Sequence, residues 1–118
     1  MTFSYVIIYN LIKEGKMTKY LLVYYGGKME TDPKLVEKSM AKWMKWFADL
    51  GKAIVNGGAP TQPGKMVSSS SVKSVGAKPV NGYSILEAKS LDAAIAMAKS
   101  HPDIAEGLQV AVYPLMSM

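Results

Sequence analysis

The stretch "AKSHPDIAEG" holds the chain's one histidine, His101, with Asp103 two residues on. A histidine titrates near neutral pH and can move a proton for a substrate, so His101 is the candidate general acid or base. It also sits where a helix should end, before Pro102. There an imidazolium is favoured by the helix dipole by roughly 0.3 to 1 kcal/mol, so capping alone would account for it. Acid/base work needs a second polar partner, and Asp103 is the one nearby carboxylate, which could itself cap the turn after Pro102. That shortage favours the cap over the catalyst.

Other chemistry is bounded by what the chain contains. With no cysteine, thiolate nucleophiles, thiolate zinc sites and disulfides are ruled out, and a reducing cytoplasm is the expected setting. One histidine rules out a multi-histidine metal centre within a chain, while a carboxylate site for magnesium or calcium stays open but has no clustered Asp or Glu to suggest it; no metal or other cofactor is expected. The net charge of +5 comes with fourteen basic residues, all lysines, and without the arginine fork that reads guanine or clamps phosphate. Lys34, Lys38, Lys42 and Lys45 follow helical spacing on one polar face. A solvated face explains them without nucleic acid.

The elements that would position these residues follow from the pattern. At 118 residues, 49% hydrophobic and 19% charged, the chain should make one globular domain. Residues 1–16 read as an N-terminal extension, since Met17-Thr18-Lys19 resembles a second start and Phe3–Ile12 is too short to span a bilayer. The domain is then 17–118. "KYLLVYY" (19–25) is apolar on both faces, as in a strand covered on both sides, and Gly26-Gly27 end it.

Asp32 and Pro33 start a helix, Val36, Met40, Trp43, Phe47 and Leu50 form its stripe, and Gly51 stops it. Trp46 lies off that stripe, either flanking the core or facing a partner. "KAIVNGGAP" (52–60) reads as a strand, the serine-rich stretch 65–75 as a polar edge hairpin or flap, and "YSILEAK" (83–89) as another strand. Ser90 caps a second helix with the stripe Leu91, Ala94, Ile95 and Ala98, and Gln109–Leu115 forms the last strand.

The order βαβ(β)βαβ predicts an α+β, ferredoxin-like sandwich with two helices on one face of the sheet. The doubly apolar first strand leaves the other face needing cover, and a second copy of the chain would supply it, giving a homodimer packed sheet against sheet.

In that topology the end of the first strand (Tyr24, Tyr25), the early first helix (Met40, Trp43), the end of the second core strand (Asn56, Gly57) and His101 with Asp103 meet at one edge. Aromatic walls around one titratable group suit a small-molecule cleft, and these are the candidate ligand-binding residues. Each has a plainer role: Trp43 as core, Asn56 and Gly57 as turn residues. Tyr24 and Tyr25 point to opposite faces, so at most one lines a given cavity.

"MTKYLLVYYGG", "WMKWFADLGKAIVNGGAP" and "VNGYSILEAKSLDAAIAMAKSHPDIAEGLQVAVYPLMSM" together resemble the YCII-related domain family of the dimeric α/β-barrel group, over residues 17–118. The resemblance implies the fold and dimer just described. Where many relatives carry Asp-Gly-Pro-Phe this chain reads "VGAKPVNGYS", so it resembles the shorter branch. Better-studied relatives pair a first-helix histidine with an aspartate before the proline ending the second helix, as a proposed acid/base dyad. Here those places hold Met40 or Ala41, and His101, so the dyad is not reproduced. Three functions stay open: a cytoplasmic homodimer with a cleft for a small, partly apolar metabolite; a cofactor-free lyase or isomerase using His101; and a structural or regulatory module.

Overall fold

The computed structural model describes residues 17–27 and 31–117. The reading of residues 1–16 as an extension falls outside them. Within them the chain is α+β, with strand β1 (Thr18–Gly26), helix α1 (Pro33–Leu50), β2 (Ile54–Pro60), β3 (Lys65–Val67), β4 (Val72–Ser74), β5 (Val80–Ala88), α2 (Leu91–Lys99) and β6 (Leu108–Pro114). Four strands form one antiparallel sheet in the order β2-β5-β1-β6.

Local chemistry sets the helix ends. The Asp32 carboxylate accepts from the Lys34 amide at 2.9 Å, and Pro33 occupies the first turn, where its missing N–H costs nothing. Gly51 closes α1 at φ 54°, a conformation that glycine adopts without a Cβ penalty. Ser90 caps α2 by accepting from the Ala93 amide at 3.1 Å.

The pleat then decides burial. Tyr20, Leu22 and Tyr24 of β1 point to the helices with Leu86 and Ala88 of β5, Leu108 of β6, Trp46 of α1, and Ala94 and Ala98 of α2, and these make the core.

Two expected stripes are corrected. In α1, Met40 is 62% exposed, and Trp46, at 4%, is the buried residue, with Trp43, Phe47 and Leu50 packed beside it. The larger indole covers more of the sheet and finds a partner for its N–H, so the helix is rotated to put Trp46 inward. In α2, Leu91 is exposed and the row Ala94–Ala98 is buried, flanked by Ala93 and Met97. Small side chains there let the helix lie close to the sheet. The 65–75 stretch is a hairpin as expected, but it pairs only with itself, as a two-stranded sheet apart from the main one.

Among the described residues, no helix lies over the opposite face of the sheet. Cross-strand rows Ile85–Leu21–Tyr113 and Tyr83–Val23–Ala111 run across it, with Tyr113 51% exposed.

Candidate functional site

Both α1 indoles grip the turn that follows α2. Trp43 Nε1 donates to Asp103 Oδ2 at 2.9 Å, and Trp46 Nε1 donates to Ser100 Oγ at 2.8 Å, whose hydroxyl in turn donates to the Met97 carbonyl at 2.6 Å. Between these two clamps His101 is held inside. Its ring centroid lies 4.0 Å from that of Trp43, 4.6 Å from Trp46 and 5.7 Å from Tyr24, and the residue is only 3% exposed.

The proton on this imidazole is placed by its neighbours. The Asp103 amide donates to Nδ1 at 3.0 Å, so Nδ1 carries a lone pair and the neutral ring carries its hydrogen on Nε2. Burial lowers the pKa from 6.5 to about 4, against the weaker pull of the Asp103 carboxylate, so the ring is neutral at pH 7. Nε2 is buried without a hydrogen-bond partner, the one such side-chain atom among the described residues. An unanswered buried donor costs about 1 to 3 kcal/mol.

A second buried polar chain begins at Tyr24. Its hydroxyl donates to Ser84 Oγ at 2.7 Å, and Ser84 donates to the Gly57 carbonyl at 2.8 Å. Burial pushes the Tyr24 phenol up to about 12, the Ser84 bond pulling slightly the other way. Gly57 is available as an acceptor because β2 bulges between Asn56 and Ala59. At Gly58, φ is 73° and an added Cβ would stand 1.7 Å from the Tyr83 carbonyl oxygen, so the bulge requires glycine; Asn56 Oδ1 steadies it by accepting from the Gly58 amide at 2.8 Å.

Of the residues expected at the shared edge, Tyr24, Trp43, His101 and Asp103 therefore come together, and Gly57 joins through Ser84. Tyr25 lies on the far face of the sheet, Met40 is out on the α1 surface, and the Asn56 side chain serves its own turn. Asp103 heads the turn of 3-10 helix Ile104–Glu106 through its backbone carbonyl, which accepts from the Glu106 amide at 3.0 Å, while its carboxylate goes to Trp43.

Sequence reasoning missed Ser84, Trp46 and Ser100. Ser84 had a signal: it shares the parity of Leu86 and Ala88 and so falls on the inner face of β5.

Outside the Trp46 wall, α1 and the turn after α2 enclose an open depression of about 310 Å3, lined by Lys42, Lys45, Trp46, Asp49, Ser100 and Pro102. Among the described residues no three His, Asp or Glu side chains gather as metal ligands, and no helix is long and apolar enough to cross a membrane. In comparisons with known proteins, no family model and no curated protein matches the chain.

Proposed function

We propose that this chain is a YCII-like, ferredoxin-like domain that works in the cytoplasm as a homodimer, two sheets packing face to face as a dimeric α/β barrel, and binds a small, partly apolar metabolite. The dimer reading is supported by the rows of Leu21, Val23, Ile85, Tyr83 and Tyr113 on a sheet face that no described helix covers.

One observation carries the choice of binding over proton transfer. The Nδ1 lone pair of His101 is occupied by the Asp103 amide, which leaves the neutral ring without a free basic nitrogen. What it has to offer is the Nε2–H, a donor in an aromatic surround, which suits recognition of an acceptor atom.

The test is a thermal-shift screen against a metabolite library, with turnover assayed for every hit. Ligand at about 100 times its dissociation constant adds about 2.7 kcal/mol. Hits without turnover are expected. Turnover would favour an enzyme, and a library without hits would favour a structural module. Light scattering at micromolar concentration should report a dimer, and Val23→Glu, placing a charge in the middle of the uncovered face, should yield a folded monomer. A well-folded monomer from the parent chain would reject the dimer.

A further inference from the structure

The lysines of α1 have the spacing of a solvated face, yet two of them sit beside a concavity. Lys42, Lys45 and Asp49 fall on successive turns of α1 and edge the depression of about 310 Å3, whose remaining walls are Trp46, Ser100 and Pro102. That volume is at the small end of the roughly 300 to 1,000 Å3 typical of ligand pockets.

The charge there is unbalanced, two cations against one carboxylate. Lys45 and Asp49 are four residues apart with the cation on the N-terminal side, the weaker order for such a pair, and Lys42 has no acidic residue four positions away, since position 46 is tryptophan and position 38 is lysine. Lys34 and Lys38 continue the same exposed face and extend the positive field towards the start of the helix.

We propose that this depression binds a small organic anion, a carboxylate or phosphate ester. Its orientation follows from the two helices. The C-terminal end of α2 carries partial negative charge and disfavours an anion beside Ser100, so the charged group lies on the α1 side with Lys42 and Lys45. The rest of the ligand then lies against Pro102 and the edge of Trp46, which is otherwise buried.

Ser100 and Pro102 flank His101 in the chain, and the Trp46 ring is 4.6 Å from the imidazole, so this wall separates the depression from the buried histidine. This proposal rests on the metabolite-binding reading and narrows it to one ligand class at one mouth.

The experiment follows the Trp46 indole N–H signal by NMR in the full chain at fixed ionic strength. Benzoate, citrate and inorganic phosphate are titrated, with benzamide as the uncharged analogue of benzoate and a short DNA duplex as a polyanion. At least one of the three anions should shift the Trp46 signal saturably. Benzamide should not, and Lys42→Gln/Lys45→Gln should bind that anion roughly tenfold more weakly, while Lys34→Gln/Lys38→Gln stays near the parent.

Equal weakening in both double variants would mean a diffuse field and overturn the site, as would a response to DNA alone. Saturable binding of benzamide, or a neutral hit in the thermal-shift screen with no Trp46 response to any anion, would leave metabolite binding standing and overturn the anion. Silence of the Trp46 signal together with an empty thermal-shift screen would remove both.

Discussion

Along β1, Tyr20, Leu22 and Tyr24 are sealed under the two helices, whereas Leu21, Val23 and Tyr25, one residue away in each case, remain partly open on the other side of the same strand. The two faces are almost equally apolar in sequence but differ in how they are finished. The helix side closes around hydrogen-bonded aromatic groups, with Trp43, Trp46 and Tyr24 each using its polar atom as well as its ring. The far side has the apolar rows of Leu21 and Val23 at its centre, with the Lys19–Glu87 and Tyr25–Gln109 pairs at its two ends, an apolar centre inside a polar rim. One face thus specifies a unique interior, and the proposed dimer assigns the other to self-association. Mutations should separate them.

The largest effect is expected at the clamp. Trp46→Ala removes the largest buried ring of α1 and leaves Ser100 without its donor, so a loss of about 3 to 5 kcal/mol is expected in urea unfolding. A loss below about 1 kcal/mol would mean that α1 does not depend on this contact for its seat.

Next comes a direct test across the strand. Leu22, wholly buried, should cost about 2 to 5 kcal/mol when changed to alanine. Val23→Ala should cost much less in dilute samples and chiefly weaken self-association, read as a larger dissociation constant in sedimentation equilibrium. Equal losses of monomer stability at the two positions would show that the far face is sealed within a single chain.

The contrast between faces also separates what the sequence could tell from what it could not. Helix ends were legible because their chemistry is local: Asp32-Pro33, Gly51 and Ser90 each act within four residues of themselves. Strands were legible because "KYLLVYY" and "YSILEAK" have a β pattern that helix spacing does not reproduce.

The rotation of α1 was not legible. A stripe through Met40 and one through Trp46 both satisfy helical spacing, and the choice depends on Ser100, 54 residues away, offering an oxygen to the indole. The state of His101 was hidden for the same reason. A helix-end position suggests a solvated imidazolium. The two indoles instead fold over the turn and hold the ring neutral.

The smallest expected effect concerns that ring, and pH exposes it. The folded pKa of His101 is lowered to about 4 by burial, against about 6.5 in an unfolded chain. Well above pH 6.5 both states hold a neutral imidazole and stability does not depend on this ring. As pH falls below 6.5 the unfolded chain takes up a proton that the folded chain refuses, so stability is lost progressively until the folded ring also titrates near pH 4.

The slope approaches about 1.4 kcal/mol per pH unit, so urea midpoints should fall between pH 6.5 and 5, a range above most carboxylate titration. Protonation would also place a hydrogen on Nδ1 against the Asp103 amide, so the turn must open for the charged ring to form. His101→Asn removes the titrating group and should flatten this slope. Retention of the full slope in the folded His101→Asn protein would assign the pH response to other groups and separate the closed face from its histidine.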